Sequence, residues 1–109
     1  MTAVYKVLGQ LNPSANTLST LYTVPAANST IISTITVANL DTVAAAFSLA
    51  IRPAGAAINN KHYINYNALL AGNDTITATL GITMSATDVI SVNASSSLIA
   101  FSAFGSEIY

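Results

Sequence analysis

Apolar residues alternate with small hydroxylated or methyl-bearing ones through most of this chain. The alternation is cleanest where Phe47, Leu49 and Ile51 interleave with Ala46, Ser48 and Ala50, and where Ile76, Ala78 and Leu80 interleave with Thr75, Thr77 and Thr79. A period of two sends successive side chains to opposite faces of an extended chain. Each run therefore predicts a strand with one apolar face and one small, hydroxylated face. The reading extends to eight segments: Val4 to Leu8, Ser19 to Val24, Thr30 to Asn39, Ala45 to Arg52, Lys61 to Ala68, Asp74 to Gly81, Asp88 to Ala94 and Leu98 to Phe104. Val, Ile and Thr number thirty-one, whereas Glu, Gln, Lys, Arg and Met together number seven, a balance that suits a pleated sheet far better than a helix.

Residues suited to turns separate these runs. Pro13 and Pro25 fix φ and lack a donor, Asn12, Asn28 and Asn73 tolerate turn geometry, and Gly55, Gly72, Gly81 and Gly105 serve similarly. Eight short strands at roughly 12-residue spacing predict an all-β fold, an antiparallel two-sheet β-sandwich, with the eight-stranded jelly roll as the expected version. Residues 1–109 are read as one domain, because a chain of this length has no room for two cores. No internal repeat is evident. The longest connection, Pro53 to Asn60, is expected to be a mobile or partner-contacting loop. A single helical turn within Asp41 to Ala46 or Ala54 to Asn59 is the alternative, and it leaves the class unchanged.

Charged residues are few. Lys6, Arg52, Lys61, Asp41, Asp74, Asp88 and Glu107 are all the charged side chains, 6% of the residues, with a formal net charge of -1. Ordinary soluble domains carry about 25%. A surface so poor in charge favours association, so the chain is expected to work inside an assembly. Three scattered cations form no stripe that could neutralise phosphates, which argues against nucleic acid as a partner. Val7 to Leu40 carries no charge, yet Ser, Thr, Asn and Pro interrupt it far short of the ~18 apolar residues of a spanning helix, so no membrane partner is expected. Without cysteine there is no disulfide, zinc ribbon or thiol nucleophile. Met1 to Gln10 lacks the pattern of a signal peptide, and the expectation is synthesis in a cytoplasm.

Candidate chemistry is sparse. His62 is the only histidine and has no acidic residue at a ligand-pairing spacing, so it is read as an ordinary strand residue beside Tyr63. A Ser/His/Asp triad could be drawn from His62, Asp74 and a serine, but no Gly-x-Ser-x-Gly elbow presents a nucleophile. Asp74 and Asp88 each precede a strand and are read as turn-formers that cap backbone donors. Asn28, Asn73 and Asn93 head Asn-x-Ser/Thr triplets, a number that chance supplies in a chain so rich in Asn, Ser and Thr. Tyr63 and Tyr66 lie in an Asn-rich stretch that would suit sugar stacking. Three residues apart on a regular strand, however, they face opposite sides and cannot form one platform. No enzymatic activity, catalytic or metal-binding residue, cofactor or small-molecule substrate is expected.

Read in order, Tyr5-Lys6-Val7-Leu8-Gly9-Gln10, Leu21-Tyr22-Thr23-Val24-Pro25, Ile31 to Asn39, Ile51-Arg52-Pro53, Lys61-His62-Tyr63-Ile64, Asn73-Asp74-Thr75, Asp88 to Val92 and Phe104 to Ile108 resemble the small β-sandwich virion structural proteins of tailed bacteriophages. The type is that of phages of cyanobacteria and marine bacteria, and the resemblance spans nearly the whole chain. It implies a virion protein made in the host cytoplasm. Its first reading is a head decoration or cement protein, a homotrimer that bridges copies of the major capsid protein. The alternative is a tail, neck or baseplate accessory involved in attachment to the host. Candidate interface residues follow from the residues themselves. Ser48 and Thr77 stand on uncharged strips, Arg52, Lys61 and Glu107 are available for inter-strand or inter-subunit ion pairs, and Tyr63 is available for interface packing.

Overall fold

A computed structural model describes Met1 to Tyr109. It contains eight strands, β1 (Ala3–Leu11), β2 (Ser19–Thr23), β3 (Ser29–Asn39), β4 (Ala45–Arg52), β5 (Tyr63–Leu70), β6 (Thr75–Met84), β7 (Val89–Ala94) and β8 (Ile99–Ile108). Two 3-10 turns, Pro53–Gly55 and Asn60–His62, lie between β4 and β5. The strands form two four-stranded antiparallel sheets, the first ordered β1-β8-β3-β6 and the second β2-β7-β4-β5. Every strand pairs with its counterpart counted from the other end of the chain: β1 with β8, β2 with β7, β3 with β6 and β4 with β5. No helix is long and apolar enough to cross a membrane.

The expected all-β sandwich is therefore present, and its core follows the alternation. Ile32, Ile35 and Val37 of β3 meet Phe47 and Leu49 of β4, Ile90 and Val92 of β7, and Ile99 and Phe101 of β8 in one buried cluster. Phe47 and Phe101 join the two sheets edge to face, with ring centroids 6.3 Å apart. Several strands run longer than the sequence suggests. β1 extends to Leu11 and β8 to Ile108 because each completes the other's ladder, a pairing that continues between the backbones of Thr2 and Tyr109. β6 continues past Gly81, whose positive φ absorbs a register shift against β3. At Gly105 the same shift brings β3 so close that a Cβ would overlap the Ile31 carbonyl, and only glycine fits there.

β5 begins two residues later than expected. Lys61 and His62 belong to the 3-10 turn that precedes it, because the Asn59 side chain accepts the Lys61 N–H and the His62 ring nitrogen Nδ1 accepts the Asn59 N–H. This reciprocal cap ends the connection in a fixed turn and buries His62, which is not a strand residue.

Candidate functional site

The two outer faces of the sandwich differ in chemistry. On the first sheet, register aligns outward rows across all four strands: Tyr5, Ser106, Ile31 and Thr83; then Val7, Phe104, Thr34 and Thr79; then Gln10, Ser102, Thr36 and Thr77. None of these side chains is charged. Around the first row lies an open hollow of about 490 Å³, lined by Tyr5, Ile31, Ser33, Phe104, Gly105 and Ser106, with Lys6, whose ammonium turns to Glu107, at its edge. Tyr5 is 84% exposed and Val7 50% exposed on this face. Thr77 is exposed in the third row, where the sequence placed it.

Behind this face a buried polar cluster ties the two sheets together. The Tyr22 hydroxyl of β2 donates to Glu107 Oε2 of β8 at 2.6 Å and lies 2.8 Å from Thr30 Oγ1 of β3. Lys6 Nζ of β1 approaches Glu107 Oε1 at 3.1 Å from the sheet edge. Burial, followed by the bond to Glu107, pushes the Tyr22 hydroxyl up to about 12 from 10.0. The Tyr22 hydrogen bond and the Lys6 ammonium hold the Glu107 carboxyl below the usual carboxylate range despite its burial. Glu107 thus makes its ion pair within the chain, between strands, and its side chain is committed to the core.

The second sheet is covered in part by the chain itself. Arg52 Nε donates to Ser91 Oγ at 2.9 Å, and its Nη1 donates to the carbonyls of Gly55 and Ala56 at 3.2 and 2.9 Å. Asp88 Oδ1 accepts the Ala54 N–H at 2.8 Å while Oδ2 accepts the Ser85 N–H at 2.9 Å. The Pro53 to Asn60 connection, expected to be mobile or partner-contacting, is exposed throughout, and its first residues are held by the Arg52 guanidinium on one side and the Asp88 carboxylate on the other. Arg52, expected in an inter-strand or inter-subunit ion pair, meets no carboxylate; it bonds across strands to Ser91 and to the carbonyls of its own loop. Asp88, like Asp74, whose Oδ1 accepts the Thr75 N–H, serves as the turn-former it was read to be.

Ser48, expected on an uncharged surface strip, is buried. It is only 5% exposed, and its hydroxyl accepts the Asn67 N–H at 3.0 Å, while neighbouring Ala50 is fully buried. Of the Ala46, Ser48 and Ala50 strip, only Ala46 is partly exposed; Ser48 and Ala50 are buried, with Ser48 at the floor of a small hollow. Lys61 is exposed and forms no ion pair.

Tyr63 and Tyr66 also depart from expectation. Their ring centroids are 4.8 Å apart and their planes meet at 78°. Ala50 pairs with Tyr63 and Leu49 with Asn65, so one step along β4 matches two along β5, and the extra residue, Ile64, resets the parity. A second irregularity follows at Asn67, whose φ of 48° lies in the left-handed region. Both rings therefore stand on the same outer face and, with Asn60, line a hollow of about 380 Å³. The asparagine at 67, a residue type that tolerates positive φ, is the one sign of irregularity that the sequence carries here.

Comparison with protein-family profiles, with characterised proteins and with solved structures returned no match.

Proposed function

We propose that this chain is a structural protein of a tailed-phage virion, a head decoration or cement protein that bridges neighbouring major capsid subunits as a homotrimer and has no catalytic role. The observation that supports this reading best is the uncharged outer face of the first sheet. Four strands spaced about 4.8 Å apart and about ten residues long at about 3.3 Å per residue present roughly 600 Å² of surface. This approaches the ~800 Å² per partner of a standard interface. Hydroxyls and methyls allow close approach without stranding a charge, and Tyr5, Val7, Ile31 and Phe104 supply the apolar anchors. We read the strand order as a jelly roll, a sandwich used in capsids among many other settings, which is support by analogy of fold alone.

The resemblance of the whole chain to phage virion proteins gives the reading its setting. A lattice of such contacts acts through number, because each trimer engages several capsid subunits and the linked contacts reinforce one another. Virions stripped of the protein are expected to lose their genome at lower temperature or milder osmotic shock than intact ones, while adsorption to the host is unchanged. Robust heads with failed adsorption would instead place the protein in the tail, neck or baseplate, where the alternative reading assigns it a part in attachment.

A further inference from the structure

We infer that the outer face of the second sheet binds a neutral saccharide chain, with Tyr63 and Tyr66 as its stacking corner. The rings form an open angle, 4.8 Å between centroids and 78° between planes, and Tyr66 is 67% exposed. Neither phenol hydroxyl makes a hydrogen bond within the chain, and neither does the Asn60 amide that completes the hollow. A sugar ring has an apolar C–H face and a hydroxyl rim. An aromatic body with a polar tip satisfies both, which is why tyrosine suits surfaces that are apolar at one end and wet at the other. A side-chain amide adds a donor and an acceptor in one group, a match for hydroxyls that do both.

The corner does not stand alone. Asn67 follows Tyr66 along β5, and beside it lies a small polar hollow of about 50 Å³ lined by Asn16, Ser48, Asn67, Asn93 and Ser95. The side-chain amides of Asn16, Asn67 and Asn93 make no hydrogen bond within the chain, unlike those of Asn12, Asn39 and Asn59 and like those of Asn28, Asn65 and Asn73. Three uncommitted amides thus share one hollow, and Asn67 joins it to Tyr66 along β5, so polar contacts extend beyond the rings as a chain of sugars would need. Charge sets the ligand class. Lys61 is the one free cation beside the corner and Arg52 is occupied by its loop, so the face offers little to a phosphate or carboxylate chain. The β5 bulge brings the feature into being, because without Ile64 as the extra residue the rings would part to opposite faces.

This inference is independent of where in a particle the protein sits. Native gels containing neutral glucan, mannan, galactan or xylan test it directly, with the intact chain as the probe and a polysaccharide-free gel as reference. At least one polysaccharide is expected to retard the protein, and the retardation should persist in about 1 M NaCl, where charge attraction is screened within ~3 Å. Tyr66→Ala should weaken it about tenfold or more, Tyr66→Phe should largely preserve it, and Tyr5→Ala on the opposite face should leave it unchanged. Thermal melting of each variant separates lost binding from lost fold. Unaltered mobility in all four gels would overturn the inference, as would retardation that a folded Tyr66→Ala variant retains or that salt abolishes.

Discussion

Glu107 shows how a residue's chemistry can be legible in sequence while its burial is not. An ion pair was expected of it, and it has one, but with Lys6 and in a largely buried setting completed by Tyr22 and Thr30. A hydroxyl donating to a carboxylate is among the stronger hydrogen bonds, and leaving its buried partner unsatisfied is costly. Tyr22→Phe is therefore expected to lower stability by about 1 to 3 kcal/mol, read as a shift in the urea midpoint. Burial of Tyr22 and its bond to Glu107 together make stability depend on pH at both ends. Glu107 has a lowered pKa in the fold, so its contribution is present above the ordinary carboxylate value and is lost as pH falls through the folded one. Tyr22 has a raised pKa, so its contribution is present below 10.0 and is lost as pH rises through about 12. Tyrosinate absorbance should show a step near 12 that is missing in Tyr22→Phe, and Glu107→Gln should flatten the acid limb of the stability curve.

Among the elements, β4 and β5 mark the boundary of what the sequence reveals. Strand identity was legible throughout, because alternation, β-branched residues and turn punctuation all point the same way at each of the eight segments. Parity was legible only where pairing is regular. Along β6, Thr75, Thr77 and Thr79 face out as expected, but a bulge leaves no signature in alternation, and Tyr63 and Tyr66 were placed wrongly for that reason. Coverage was illegible too. Nothing local to Ser48 indicates that Asn67 of the neighbouring strand will bond its hydroxyl, or that Arg52 will fold its own loop over Ser91. Asn67 permits a test at this scale. Its φ of 48° suits Asn or Gly and opposes a β-branched side chain. Asn67→Val is expected to cost about 1 to 2 kcal/mol and Asn67→Gly only a few tenths. Chemical denaturation compares them, and the Val variant should also weaken the coupled tyrosine signal in circular dichroism as the rings lose their register.

At the scale of the whole molecule, the two faces offer opposite responses to the same substitution. Lysine at position 77 enters an exposed row of threonines, where it has room and water, so Thr77→Lys should leave the fold within about 0.5 kcal/mol of the parent. Lysine at position 48 must displace a hydroxyl that is 5% exposed and bonded to Asn67, so Ser48→Lys should destabilise the domain by several kcal/mol. Assembly then separates the roles. If the first sheet docks on a partner, a charge at position 77 is stranded in the contact and binding to particles should fall by an order of magnitude or more while circular dichroism is unchanged. Thr77→Ser, which adds neither charge nor bulk, should bind as the parent does. Quantitative rebinding of each purified variant to stripped particles reads the difference. Equal binding by Thr77→Lys and the parent would mean that the uncharged sheet is a solvent face, and the contact would have to be sought at the β1 edge or the loop ends instead.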